Sequence, residues 1–255
     1  MTAVFRKTVP VAERARLDAE TDGLAALAAT GKVRVPAIVG AGGTARDAWL
    51  ELEYLELAPL DRAAGARLGE QLAALHRHGD AADTYGWPRD NFIGATPQSN
   101  QSHRTWAGFF ADERLRPQLV LAGGNGLPRE LRDRGEKLAE RVAAFFVDYR
   151  PAPSLLHGDL WAGNAGQLPD GTPVIFDPAV HRGDREADLA MSELFGGFPE
   201  SFYAAYRLAW PLDPGYETRK TLYNLYHVLN HYNLFGASYL GQARRMIDRL
   251  LAELR

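Results

Sequence analysis

The residues best suited to chemistry stand close together in the second half of the chain. The apolar pair Leu155-Leu156 leads into His157-Gly158-Asp159, and an amide, Asn164, follows five positions after the carboxylate. Thirteen positions further on, the apolar run Val174-Ile175-Phe176 ends on a second carboxylate, Asp177. Magnesium-dependent phosphoryl transfer uses such a set. One carboxylate accepts or orients the proton of an incoming hydroxyl; an amide oxygen and a second carboxylate hold Mg²⁺ against phosphate oxygens. Taken singly, Asp159 and Asn164 read equally well as turn residues bonding to nearby backbone.

Their joint order is more specific. His-x-Asp-x-x-x-x-Asn, then a strand and Asp, follows the catalytic and metal-binding loops of protein kinases in order and spacing. The chain resembles the fructosamine kinase family, within the aminoglycoside-phosphotransferase and protein-kinase-like superfamily. The resemblance rests on His157-Gly158-Asp159-Leu160-Trp161-Ala162-Gly163-Asn164, on Asp177-Pro178-Ala179-Val180 and on Gly183-Asp184-Arg185-Glu186-Ala187-Asp188-Leu189-Ala190. Trp87 to Gly94, Arg114 to Gln118 and Leu222 to His227 add to it, so it runs from about Lys7 to the last helix. Ala162 replaces the family's usual serine.

The resemblance implies an ATP- and Mg²⁺-dependent kinase for ketosamines, the sugar adducts of amines, with Asp159 as base and Asn164 and Asp177 on the metal. It places Lys7 on the nucleotide phosphates with Glu20 as its partner, and assigns the adenine edge to backbone groups of Glu53 and Leu55. Trp161 reads equally as core packing or as a substrate platform. His227 and His231 lie four apart on a helix, but no third ligand at suitable spacing supports a metal there. Packing suits His227, and the family pattern puts His231 on the substrate side. His157 reads as a packed scaffold residue, and Asp184 and Asp188 as braces bonded to the catalytic-loop backbone. Gly158 stands where many protein kinases carry arginine, and only a short segment follows Asp177, which implies constitutive activity.

These residues need elements to hold them. Val4 to Val9 alternates and reads as a strand, and Val11 to Ala29 as a helix with Leu17, Leu24 and Leu27 on one side. Val33 to Val39 and Trp49 to Leu57 read as strands joined by a flexible turn, Gly40-Ala41-Gly42-Gly43. Asp61 caps a helix carrying Leu68, Leu72 and Leu75 that closes at Gly79. Trp106 to Leu115, Pro128 to Tyr149 and most of the chain after Asp188 read as helix. These elements fit what the resemblance implies, an α+β, two-lobed, kinase-like fold with a sheet-and-helix lobe at 1–57 and a mainly helical catalytic lobe at 58–255. Only six residues precede Lys7, too few for the strand–loop–strand that covers the phosphates in such folds. This predicts weaker ATP binding and an uncovered edge strand open to pairing in a homodimer, unless the start codon is assigned late.

Composition sets the outer bounds. The 255 residues are 46% hydrophobic and 24% charged, ordinary for a globular enzyme. A net charge of −3 gives no basic field for nucleic acid or an anionic membrane. The chain has no cysteine, which removes thiolate catalysis and Cys-based metal sites and agrees with a reducing cytoplasm. No apolar run reaches membrane-spanning length. Two rival readings stand beside the ketosamine kinase: a kinase for another small hydroxylated amine, such as an aminoglycoside or choline-like compound, and a kinase-like binding module without catalysis.

Overall fold

A computed structural model describes residues 3–78 and 83–254. In chain order its elements are β1 (Val4–Pro10), α1 (Arg14–Ala29), β2 (Ile38–Gly43), β3 (Asp47–Glu53), α2 (Arg62–Arg77), β4 (Asn91–Ile93) and β5 (Thr96–Gln98). Helices α3 (Trp106–Phe109), α4 (Arg116–Gly124) and α5 (Arg129–Ala139) follow. Short strands β6 (Ser154–Leu156), β7 (Ala165–Gln167), β8 (Pro173–Ile175) and β9 (His181–Gly183) come next. The chain ends with α6 (Glu186–Leu194), α7 (Glu200–Ala209), α8 (Tyr216–Phe235) and α9 (Leu240–Glu253). It divides into two compact units: Met1–Asp80 with Ser154–Val180 and Ser192–Pro211, and Ala81–Pro153 with His181–Met191 and Leu212–Arg255. The first unit takes in the whole expected lobe 1–57 and adds α2, the β6–β8 segment and α7.

In the first unit an antiparallel sheet has the order β1-β3-β2. Alternation sorts its side chains. Phe5 and Lys7 lie opposite Leu52 and Leu50 on one face, while Arg6 lies opposite Glu51 on the other. Ala48, Leu50 and Leu52 are buried, and Leu17, Leu24 and Leu27 of α1 are buried with them. Helix α1 ends at a left-handed Gly31 (φ 62°), the usual way to satisfy a helix C-terminus. β1 is an edge strand, with Val4 and Phe5 exposed.

The glycine run Gly40–Gly43 is not a turn. It forms most of β2, paired to β3 with Gly42 opposite Trp49. The indole lies across the strand, and a Cβ on Gly42 would come within 2.4 Å of it. Glycine is there to admit the tryptophan, not to bend the chain. The expected strand at Val33 to Val39 pairs only through a bridge from Arg34 to Val174 before β2 begins at Ile38. Pro36 in its middle has no N–H to give a ladder. Strand β3 ends at Glu53 rather than Leu57.

Asp61 caps α2 as expected, its Oδ1 accepting from the Ala64 N–H at 2.7 Å. The stop at Gly79 lies outside the described residues. Gly69 lets α2 close on α7: a Cβ there would meet the Phe202 carbonyl at 2.3 Å.

The second unit is built on α4, α5, α8 and α9, with the β4–β5 hairpin. Leu222, Leu225, Val228 and Leu229 of α8 and Ile247 and Leu250 of α9 are buried. The helix expected at Trp106 to Leu115 is a single α turn followed by a π turn over Phe110–Leu115, which runs into α4. The helix expected at Pro128 to Tyr149 stops at Ala139, and a 3-10 stretch covers Val142–Phe146. No helix among the described residues is long and apolar enough to cross a membrane.

Candidate active site

The segment carrying Asp159, Asn164 and Asp177 is held by the antiparallel pair β7–β8. Ala165 faces Ile175 in that register, and the Phe176 N–H donates to the Asn164 carbonyl at 3.0 Å. Asn164, just before β7, and Asp177, just past β8, therefore leave the hairpin at the same end. The Asn164 side-chain amide closes the loop onto its start: Nδ2 donates to the Asp159 carbonyl at 2.9 Å and to Asp159 Oδ2 at 3.1 Å. Its NH₂ being so engaged, its amide oxygen is the atom presented to a ligand.

His157 ties the loop to β8. It is wholly buried. Its Nδ1 accepts from the Asp159 N–H at 3.3 Å, so the ring proton sits on Nε2 and goes to the Phe176 carbonyl at 2.9 Å. Both bonds run to backbone beside Asp159 and Asp177. Gly158 has φ 84°, a conformation that side chains rarely adopt. Asp177 itself has φ 56°, alone among the described non-glycine residues in being left-handed. Such strain persists where surrounding structure holds it, and it concentrates at functional sites.

The structure brings Lys7 and Glu20 to this point. Lys7 Nζ donates to Glu20 Oε1 at 2.7 Å and to Asp177 Oδ1 at 2.5 Å. Glu20 reaches it because Gly23, one turn along α1, permits close approach: a Cβ there would stand 3.0 Å from Pro178 Cγ. Burial works to lower the Lys7 pKa, and the carboxylates of Glu20 and Asp177 more than offset it, so the ammonium is held above its ordinary value. Glu20 is pushed up, by burial first and against the pull of Lys7.

Lys7 and Asp177 stand at one side of a cavity of about 270 Å³. Phe5, Pro36, Leu52, Leu57 and Phe176 give it apolar walls, and the stretch Glu53-Tyr54-Leu55 also lines it. A mainly apolar cavity with the Lys7 ammonium among its lining residues suits an apolar ring bearing a polyanionic tail. The Glu53 side chain faces Arg34: Nη2 of the arginine lies 2.6 and 2.5 Å from its two oxygens. These bonds from Arg34 hold the Glu53 carboxyl below the usual range. Phe5 and Pro36 line this cavity and Arg34 bonds to its Glu53; none of the three was singled out from sequence. Phe5 had a usable signal, standing two residues before Lys7 on the same strand face.

Trp161 is 36% exposed, with its ring edge-on to Phe195 at 6.2 Å between centroids. It lies over Gly163, where a Cβ would come within 2.3 Å of the indole. Asp184, Asp188 and His231 lie in the second unit. The bonds of Asp184 differ from those expected. Its buried carboxylate accepts from the Tyr149 hydroxyl at 2.9 Å, the Tyr223 hydroxyl at 2.5 Å and the Glu186 N–H at 3.0 Å. Two phenols and the first turn of α6 satisfy it, in place of catalytic-loop backbone. Asp188 is buried on α6. His231 Nδ1 bonds to the His227 carbonyl at 2.8 Å, and its ring packs on Phe235 and Tyr239. His227 is buried, and burial pushes its pKa down to about 3.

Among the described residues no three His, Asp or Glu side chains form a metal cluster. An amide oxygen and one carboxylate still fit Mg²⁺, a hard cation that keeps several waters and shares phosphate oxygens.

The model of the family described as fructosamine kinase matches residues 1–253. A probable ketoamine kinase of Synechocystis sp. is 48% identical over 236 residues, covering 91% of this chain and 78% of the relative. A chloroplastic protein-ribulosamine 3-kinase of Arabidopsis thaliana is 39% identical over 252 residues, 98% of this chain and 77% of the relative. The crystal structure of a candidate fructosamine-3-kinase from Haemophilus somnus superposes with a TM-score of 0.90 at 34% identity, covering 97% of this chain and 83% of that one.

Proposed function

Because the chain belongs to the fructosamine kinase family, with its α+β kinase-like fold, we propose that it transfers the γ-phosphoryl group of ATP to a sugar hydroxyl of a ketosamine. The observation that carries this reading is the joining of Lys7, Glu20 and Asp177 at the side of a mainly apolar cavity also lined by Glu53 to Leu55.

The cavity takes the adenine ring, with the Glu53 carbonyl and the Leu55 N–H reading its edge. Lys7 holds the phosphates, and Glu20 holds Lys7 in place. The bond from Lys7 to Glu20 fixes the ammonium beside the cavity. Asn164 and Asp177 would hold Mg²⁺. A bound Mg²⁺ would offset phosphate charge as the phosphoryl group moves. Asp159 accepts the hydroxyl proton as that oxygen attacks the γ-phosphorus and ADP departs with the bridging oxygen, and the Asn164 amide keeps the loop closed around it. His157 positions Asp159 and Asp177 through backbone. Trp161 offers an exposed apolar face to the sugar–amine, and His231 acts on the substrate side. The cysteine-free composition suits work in a reducing cytoplasm.

A substrate panel tests this. Purified chain with Mg²⁺ and ATP is expected to phosphorylate fructosyl- and ribulosyl-lysine in preference to aminoglycosides and choline. Preference for either of the latter, or no transfer to any of them, contradicts the reading.

A further inference from the structure

Arg34 lies outside every motif discussed so far, yet three parts of the cavity meet on it. Its carbonyl accepts from the Ile175 N–H at 3.0 Å, in a parallel bridge to β8, and Phe176 of the cavity follows directly. Its guanidinium grips Glu53, with one nitrogen 2.5 and 2.6 Å from the two carboxylate oxygens, and also donates to the Val35 carbonyl. Glu53 in turn accepts from the Ala37 N–H at 3.1 Å through Oε2, while its own N–H donates to the Ala37 carbonyl at 2.8 Å. Residues 34–37 are thereby folded against the end of β3, and Pro36 is set into the cavity wall.

A partly exposed ion pair contributes little to stability on its own. This one joins backbone on both sides, so its main effect is on geometry. We propose that Arg34 is a positioning residue for the nucleobase: it fixes the Glu53 edge against the β8 side before the nucleotide arrives. The proposal rests on the cavity being the nucleotide site. Without Arg34, the Glu53 carboxylate keeps only its bond from the Ala37 N–H among the described residues, and this edge must be ordered as the base binds, which weakens binding of the base. The phosphates, held at Lys7, are not affected.

Calorimetry with two fragments separates these effects. Adenosine reports the base, and tripolyphosphate with Mg²⁺ reports the phosphate end. Arg34→Ala is expected to weaken adenosine binding about tenfold and to change tripolyphosphate binding by less than twofold; one decade of Kd is about 1.4 kcal/mol. In turnover the same variant raises KM for ATP and leaves kcat within twofold. Glu53→Gln, which keeps the acceptor for Ala37 but loses the charge, falls between wild type and Arg34→Ala. If Arg34→Ala does not fold, Arg34→Lys and Glu53→Gln carry the same comparison. Unchanged adenosine affinity overturns the inference. So does a parallel fall for both fragments, which would show a merely structural residue. Wild-type chain that fails to bind adenosine contradicts the nucleotide site itself, and the inference falls with it.

Discussion

Replacing Lys7 with methionine should damage stability in a way that depends on pH, and the structure says in which direction. Lys7 Nζ lies 2.7 Å from Glu20 and 2.5 Å from Asp177. The Glu20 side chain is only 13% exposed. Without the ammonium, two carboxylates remain close together and one of them is poorly hydrated. Burial and the Asp177 charge already raise the Glu20 pKa above 4.5, and removing the opposing pull of Lys7 raises it further. A carboxyl whose pKa is raised by folding favours the folded state while it holds its proton. That contribution fades as pH rises from the unfolded value through the folded one. At pH 5 the variant should lose about 1 kcal/mol, the scale of its missing hydrogen bonds. The loss should grow as pH rises toward 8, up to about 3 kcal/mol, the lower end for a broken buried pair. The change with pH cannot exceed about 1.4 kcal/mol per unit for one proton. The ion-pair stability supplied by Lys7 itself is lost only as pH rises beyond 10.5, outside this range. Urea unfolding of wild type, Lys7→Met and Lys7→Met/Glu20→Gln at both pH values measures this. The double variant should remove the growth with pH without restoring turnover, which should stay at least about a hundredfold down from loss of the phosphate contact. An equal loss at both pH values, or near-normal turnover in the single variant, refutes the reasoning.

Two further outcomes follow from the same geometry. Gly163→Ala puts a Cβ within 2.3 Å of the Trp161 ring and must displace it; KM for the ketosamine should rise several-fold while ATP affinity stays as it was, and an unchanged KM would remove Trp161 from the substrate platform. His227, pushed down to about 3 chiefly by burial, with His231 and Arg114 adding to the effect and Asp188 opposing it, must stay neutral to remain folded. Wild type should therefore lose stability relative to His227→Leu as pH falls from 6.5 toward 3, by up to about 1.4 kcal/mol per unit, and parallel acid titrations of the two would show the imidazole is not so constrained.

What could be read from sequence and what could not divide along physical lines. Asp159, Asn164 and Asp177 were legible because phosphoryl transfer demands those groups in that order, and a short hairpin, β7–β8, sets their spacing locally. Lys7 and Glu20 were named through the family resemblance alone, since an isolated strand lysine and helix glutamate look like surface residues until the fold joins them at 2.7 Å. The glycine run at 40–43 misled because its conformation is decided across the sheet, by the indole of Trp49 lying on it. The partners of Asp184 were hidden because Tyr149 and Tyr223 are 35 and 39 residues away and chemically ordinary until they meet it. Arg34 was invisible for a similar reason: nothing in its neighbours tells a surface arginine from one that grips Glu53. Periodicity found helix at Trp106 to Leu115 but neither its π turn nor its continuation to Gly124, since a wider turn keeps the same apolar residues.

The proposed role of Asp159, as the base toward the substrate hydroxyl, carries the catalytic reading. Asp159→Asn measures it most directly, by phosphoryl transfer from ATP to ribulosyl-lysine beside calorimetric ATP binding in Mg²⁺. The variant should lose at least about a hundredfold in kcat, the low end for general-base catalysis, with Kd for ATP within about twofold of wild type. Turnover close to wild type would show that another group takes the proton.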